Sequence, residues 1–270
     1  MDSGIHKTAL IEEGAVIGAN VEIGAFCVIG KNVKIGDGCV LKPHVVVEGW
    51  TTIGKNNKIY SFATIGQQPQ DLKFEGEKSE VVIGDNNSIR EHCTIHPGTK
   101  GDNLITKIGS NNLLMVNTHV AHDCMIGDNC VFANNATLGG HVHVGNNVVL
   151  GGLCAIHQKV RIGNGAMLGG LSGLGEDLIP YGIAYAKGGR SGTLQGINLV
   201  GLKRANIDKK KILELSHFYK EVFEGNELGS ILERANESEK KYKDNFLVKE
   251  VVEFMNSDTS RRFCSCCIDE

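Results

Sequence analysis

The chain has 270 residues, a formal net charge of −3 and only 6% aromatic residues. A near-neutral balance gives no electrostatic footprint for DNA or RNA. No apolar run approaches the roughly 20 residues of a bilayer span, and the start Met-Asp-Ser-Gly-Ile-His-Lys lacks the basic-then-apolar design of a signal peptide, so the cytoplasm is the expected location. Glycine is abundant (35) and proline scarce (4). So few rings cannot fill a conventional globular core, whereas a thin coil filled by Ile, Val, Ala and Cys needs none.

A period of six begins at once. Eleven aliphatic residues recur at every sixth position from Ile5 and Ile11 to Ile59 and Ile65. Ile83, Ile89 and Ile95 form a second run, and twelve more, one of them the aromatic Phe132, extend from Ile108 and Leu114 to Leu168 and Leu174. Of these 26 residues, 15 are followed directly by Gly. A period of six is neither that of a helix nor that of a simple strand, and short fixed repeats signal a solenoid.

A second slot lies two residues before each aliphatic and holds small residues such as Ala15, Val21 and Val33. Residues two apart on a strand share a face, so both slots point inward, and Gly marks a corner that needs either φ > 0 or close backbone approach. Six of the nine cysteines (Cys27, Cys39, Cys93, Cys124, Cys130 and Cys154) occupy the small slot, where a free thiol is a small hydrophobe, not a disulfide or metal ligand. Three hexads close a triangular coil of 18 residues with a rise of about 4.8 Å. The repeats predict between eight and nine coils.

Two interruptions break the run. Residues 66–82, containing Gln-Pro-Gln-Asp-Leu-Lys, span one whole coil between Ile65 and Ile83 and predict an extruded loop. Residues 96–107 shift the phase by one. Loops thrown from a rigid scaffold commonly carry binding residues. Residues 177–195 read as a loop leaving the coil. The pattern then turns helical, with Asp208 as an N-cap, Asn226 as a second, and a last helix from Asn245 to Met255. The expected organisation is a β-helix over 1–190, a helical region over 191–257 covering the solenoid end, and a disordered tail over 258–270 bearing Cys264, Cys266 and Cys267.

With 18 residues as a ruler, His122 stacks under Gly140 and Gly140 under Gln158, with His141 and His157 one position to either side. Asp123 stacks under His141, and His119 shares the coil of His122. Four histidines on one edge predict a functional site. One chemistry is acid–base, a near-neutral His taking a proton from a hydroxyl while a carboxylate orients its ring. The other is a zinc site of clustered imidazoles. A Gly in the same column favours the first, because its N–H can meet a developing oxyanion. No Ser or Cys stands clearly as a covalent nucleophile.

The hexapeptide repeats, together with Gln-Pro-Gln-Asp-Leu-Lys (68–73), His-Val-Ala-His-Asp (119–123), Asn-Asn-Ala-Thr-Leu-Gly-Gly-His-Val (134–142), Ala-Ile-His-Gln (155–158) and Gly-Ile-Asn-Leu-Val-Gly-Leu-Lys-Arg (196–204), resemble the UDP-N-acetylglucosamine O-acyltransferases of lipid A biosynthesis. The resemblance covers essentially the whole chain. It implies a left-handed parallel β-helix, contrary to the usual crossover hand, in a homotrimer with sites between neighbouring subunits. It implies His122 as the general base toward the sugar 3-hydroxyl, Asp123 as its orienting partner, and the Gly140 amide at the oxyanion formed from a 3-hydroxyacyl acyl carrier protein. It places Asp71 and Lys73 at the sugar and acyl group, His119, His141, His157 and Gln158 along the cleft, and Asn198 and Arg204 on the nucleotide. It sets Gly170 at the position that limits acyl length and implies no cofactor or metal. Val200 departs from relatives that carry an acidic residue there, and residues 181–195 look longer than in some relatives. Lys159, Arg161, Lys187 and Arg190 are candidates for docking the carrier.

Three rivals share the scaffold. Other hexapeptide acyltransferases include acetyl-CoA enzymes and the later N-acyltransferase of the same pathway, which carries an N-terminal uridine-binding domain for which repeats starting at Ile5 leave no room. A γ-type carbonic anhydrase is expected to show a His-x4-His pair, where this chain has His119-x2-His122. A non-catalytic scaffold leaves the histidines unexplained.

Overall fold

In a computed structural model of the chain, the structure describes residues 4–186, 191–224, 230–258 and 260–264. Three sheets form the faces of a prism. Face I runs from Leu10–Ile11 to Gly173–Leu174 in nine strands, and face II from Val16–Ile17 to Arg161–Ile162 in eight. Face III begins at Glu22–Ile23 and has ten strands. The chain visits the faces in turn, and each strand pairs in parallel with its counterpart one coil away, as in Val120↔Leu138 and Leu138↔Ile156. Most strands are two residues long because the other four of each hexad make the corner.

The corner separates two demands. Asn20 (φ 56), Asn56 (φ 55) and Asn129 (φ 58), each three residues after the inward aliphatic, take the left-handed conformation, which Asn tolerates better than most residues. The Gly directly after the aliphatic answers the other demand. A Cβ on Gly36 would lie 2.6 Å from the Gly54 carbonyl oxygen of the next coil. Of the 15 glycines in that place, only Gly66 has φ in the left-handed range.

The six predicted inward cysteines are buried and free. On face III the same inward slot holds a polar ladder that the hexad pattern does not announce. Asn57 Oδ1 accepts from the Asn87 N–H (2.8 Å), Asn87 Oδ1 from the Asn112 N–H (2.8 Å), and Asn112 Oδ1 from the Cys130 N–H (2.7 Å). Their amides donate to the carbonyls of Gly84, Gly109 and Gly127. All three side chains are buried with both ends satisfied, the condition under which buried polar groups are tolerated.

Both interruptions leave from the corner between faces I and II. The first passes from Thr64–Ile65 on face I to Glu80–Ile83 on face II, where Ile83 pairs with Ile53. The 18 residues between Ile65 and Ile83 therefore advance by one face and not by a full coil, and the inward pattern resumes at the fully buried Val81. The second passes from Thr94–Ile95 to Ile105–Ile108. Ile65 accordingly stacks on Ile95 and Ile95 on Val120, so the ruler of 18 fails between Ile65 and Val120 and holds on face I on either side, as in Val28↔Val46 and Val120↔Leu138.

The C-terminal expectations need three corrections. Residues 177–195 do not simply leave the coil: Gly182–Tyr185 extends face III in parallel and Thr193–Ile197 pairs with it antiparallel. Among the described residues four helices follow: α1 (Leu199–Arg204), α2 (Lys209–Tyr219, continuing as a π-turn over Lys220–Glu224), α3 (Ile231–Glu239) and α4 (Phe246–Ser257). Asp208 and Asn245 cap α2 and α4 as expected. Asn226 lies outside the described residues; α3 is capped by Ser230, whose side chain and that of Glu233 form a capping box. Third, residues 260–264 are ordered against the coil: Phe263 bridges Asp177, and the Cys264 N–H donates to the Asp177 carbonyl (2.9 Å). Cys264 is buried and its thiol is pushed up to about 12 by burial. Cys266 and Cys267 lie outside the described residues.

Arg161 joins coil to helix. It pairs with the buried Asp177 (2.7 Å), donates to the Phe254 carbonyl (3.2 Å) and Ser257 hydroxyl (2.8 Å), and stacks over the Phe254 ring. With its guanidinium so engaged, Arg161 is a structural tie between coil and helix. Lys187 and Arg190 lie outside the described residues, while Lys159 is exposed near the histidine edge. No helix is long and apolar enough to cross a membrane among the described residues.

Candidate active site

The corner between faces I and II gathers the sequence-derived histidines. His122 follows Val120 by two, and Asp123 takes the left-handed turn (φ 60). Adjacent residues on a strand would point apart; the turn instead brings His122 Nδ1 to 2.8 Å from Asp123 Oδ2, with both side chains buried. Asp123 accepts further bonds from the Thr99 N–H (2.8 Å) and the Thr99 hydroxyl (2.7 Å), and its own N–H donates to Thr106 Oγ1 (2.8 Å). Burial works against its charge, but the bonds from His122 and Thr99 outweigh it and hold the carboxyl below the usual range. An ionised partner on Nδ1 fixes the tautomer with Nε2 free as the basic nitrogen.

Gly140 lies directly on that nitrogen. A Cβ there would sit 2.5 Å from His122 Nε2 and 2.4 Å from Cε1, so only glycine lets the ring stand where it does. On the next corner, between faces II and III, the equivalent backbone donors are used: the N–H groups of Ser110, Asp128 and Asn146 are accepted by Asp128, Asn146 and Asn164 of the coil above. Gly140 is surmounted by Gln158 instead, and no acceptor engages its N–H among the described residues. A free backbone donor beside a basic nitrogen is the geometry for proton removal next to a developing oxyanion.

The other expected residues divide. His141 is T-shaped against His122 at 4.9 Å. His119 Nδ1 lies 2.7 Å from Thr94 Oγ1, and burial, then His122, push its imidazole down. His157 and Gln158 are exposed at the top of the column. Asp71 and Lys73 lie in the first loop, where Asp71 Oδ1 accepts from the Lys73 N–H (3.0 Å). Asn198 and Arg204 belong to a different corner. Asn198 Nδ2 donates to Gly165 at the turn between faces II and III (3.0 Å), and its Oδ1 caps α1 by accepting from the Gly201 N–H (3.0 Å). Arg204 is exposed in the last turn of α1, and Val200 is 59% exposed. Gly170 lies over Gly152, whose carbonyl a Cβ would meet at 3.1 Å.

Sequence reasoning missed four neighbours. His96 is buried against the His119 ring, its Nδ1 without a partner. Thr99 clamps Asp123, Asp102 reaches His141, and Arg261 donates to the carbonyls of Gln158 (2.6 Å) and Gly175 (2.8 Å). Their offsets from the column are 24, 39 and 103 residues, none a multiple of 18. His96 alone left a signal, since it directly follows an inward isoleucine.

Ligand atoms of His122, Asp123 and His141 lie within 4.8 Å of one another, the sole group with metal-binding spacing among the described residues. Every carboxylate oxygen of Asp123 and both Nδ1 atoms are already hydrogen-bonded, which leaves the Nε2 atoms as the open positions of the two rings. The thiol next to the pair offers no nucleophile: Cys124, beside Asp123, is pushed up to about 12 by burial.

Comparison with known proteins identifies the family. The family model for UDP-N-acetylglucosamine O-acyltransferase, domain 2, matches residues 177–264, and the bacterial transferase hexapeptide model matches 14–49, 32–67 and 105–140. The acyl-[acyl-carrier-protein]–UDP-N-acetylglucosamine O-acyltransferase of Aliarcobacter butzleri is 51% identical over 254 residues, covering 94% of this chain and 95% of its own. That of Rickettsia canadensis is 48% identical over 263 residues, covering 97% and 98%. The crystal structure of UDP-N-acetylglucosamine O-acyltransferase from Moraxella catarrhalis superposes with a TM-score of 0.91 at 41% identity, over 97% of this chain and 99% of that one. At such identity over nearly the whole of both chains, the protein belongs to the family of acyl-[acyl-carrier-protein]–UDP-N-acetylglucosamine O-acyltransferases, and its coil is the left-handed parallel β-helix of that family.

Proposed function

We propose that the chain transfers a 3-hydroxyacyl group from the thioester of acyl carrier protein to the glucosamine 3-hydroxyl of UDP-N-acetylglucosamine, the first step of lipid A biosynthesis, with His122 as general base. The carrying observation is the His122–Asp123 pair whose free Nε2 abuts Gly140. His122 Nε2 takes the hydroxyl proton as the sugar oxygen attacks the thioester carbonyl. The Gly140 N–H meets the resulting oxyanion. Collapse breaks the C–S bond, and the imidazolium returns its proton to the departing thiolate. Asp123, held ionised, stabilises the imidazolium between these steps. Asp71 and Lys73 act on the sugar and acyl group, His119, His141, His157 and Gln158 line the cleft, and Asn198 and Arg204 hold the nucleotide, Arg204 through its phosphates.

Asn198 and Arg204 lie at a different corner of the chain from His122, which supports a homotrimer whose sites combine edges of neighbouring subunits. Glycine at 170, exposed above Gly152, supports a long acyl chain of about fourteen carbons, since a side chain added there would take up space beside the coil. The test is transfer to UDP-N-acetylglucosamine from 3-hydroxyacyl carrier proteins of ten to sixteen carbons, with and without chelator. Chelator-insensitive product carries the reading and gives the preferred length. Absence of product with every donor, or activity lost with metal, refutes it.

A further inference from the structure

A second histidine–carboxylate pair stands beside the first. His141 Nδ1 lies 3.0 Å from Asp102 Oδ2, while Asp102 Oδ1 accepts from Asn103 Nδ2 at 2.8 Å. The carboxylate is therefore oriented through both oxygens. His141 Nδ1 also lies 3.8 Å from Asp123 Oδ2, an oxygen already bonded to His122 and the Thr99 hydroxyl. Two imidazoles thus face one buried carboxylate, and Asp102 is bonded to one of them.

Asp102 reaches this place on the second loop, which is secured from two sides. The Lys100 N–H donates to Glu77 Oε1 (3.0 Å) and its ammonium pairs with Glu75, both in the first loop. The Asp102 N–H donates to the Thr99 carbonyl (3.2 Å), and Thr99 clamps Asp123. One short loop therefore supplies an anchor to each histidine–carboxylate pair.

We infer that Asp102 is a positioning residue for acyl transfer: it takes the Nδ1–H of His141, keeps Asp123 committed to His122, and leaves His141 Nε2 as a neutral acceptor for the sugar substrate. The inference rests on the proposed role of His122 and adds a residue to it. A carboxylate on one ring nitrogen sets the tautomer at the other, and competition for Asp123 would loosen the base itself.

The test uses the full chain with Asp102→Ala, Asp102→Asn, His141→Gln and the double variant Asp102→Ala/His141→Gln, measuring kcat and KM for UDP-N-acetylglucosamine. Asp102→Ala should lower kcat/KM about tenfold, a size ordinary for coupled neighbours. Asp102→Asn, which keeps an acceptor, should retain more. In the His141→Gln background the Asp102→Ala change should cost nothing further. Independent, additive losses, or no loss in Asp102→Ala, would overturn the assignment, since a merely structural loop residue acts whether or not His141 is present. Imidazole 15N shifts give a second reading that does not need turnover: His141 should be the Nδ1–H tautomer in the native chain and lose that preference in Asp102→Ala. An unchanged tautomer overturns the inference. Undiminished transfer in His122→Ala sinks the base role instead, an outcome no Asp102 variant can produce.

Discussion

At the scale of single residues, the corner works because a left-handed turn makes neighbours converge. Asp123 and His141 both adopt φ near +60°, which folds each back beside the column. His122→Ala should lower kcat about a thousandfold while the melting temperature stays within a few degrees, because no inward core residue changes. Gly140→Ala should cost on the order of a hundredfold in kcat, since the new Cβ displaces the ring it would touch at 2.4 Å. Normal turnover in either variant would remove that residue from the reaction. His96 offers a readout of a different kind. Burial, and then His119 and His122, push its imidazole from an ordinary 6.5 down to about 4. Between those values the unfolded chain binds a proton that the folded chain refuses, so stability falls as pH falls through that window, by up to about 3 kcal/mol for this group. His119 shifts in the same direction. Thermal unfolding at pH 7 and pH 5 should show a steep loss in the native chain and a shallower one in His96→Gln; equal slopes would refute the assignment.

At the scale of the element, each hexad is a short strand that can be satisfied only by its neighbours above and below. Ile126 lies 6% exposed at the inward position of face II. Ile126→Asp would bury an unpaired carboxylate and should cost more than about 4 kcal/mol, giving insoluble or unfolded protein; a normally melting variant would contradict the inward register. Asn87 belongs to the face III ladder, bonded above and below. Asn87→Ala should cost about 2 kcal/mol by leaving buried partners unsatisfied, read as a lower denaturation midpoint with an unchanged denaturant slope. Asn is a strongly polar residue in a face III slot that otherwise takes Val, Cys or Ala, so hydropathy alone could not place it inward. The ladder supplies what the hydrophobic pattern lacks where two loops interrupt the repeat.

At the scale of the whole molecule, one prism edge carries the base and both loops, while Asn198 and Arg204 ride on another. A shared site therefore predicts complementation. His122→Ala and Arg204→Ala should each be nearly inactive alone, yet co-expressed and co-purified they should recover a clear fraction of native activity, because mixed assemblies contain some interfaces with both native residues. No recovery in verified mixed assemblies would mean that each site lies within one chain. The helical region is tied to the coil by Arg161, Asp177 and the Asn164–Glu250 and Tyr181–Glu250 bonds, which fixes α4 against face II.

Much of this was written in the chain. The hexad period follows from strand and corner geometry alone, and above Val120, where no loop intervenes, the 18-residue ruler put His122, Gly140, His141, His157 and Gln158 in one column because identical coils repeat at a fixed length. Asp208 and Asn245 were legible as caps because capping is local. What only tertiary structure decided is whatever depends on a loop returning. Thr99 and Asp102 reach Asp123 and His141 across 24 and 39 residues, distances no period encodes. The chain end at residues 260–264 took its place from packing against Asp177, and Arg161, a cation by sequence, became a tie because a buried Asp177 stood within reach.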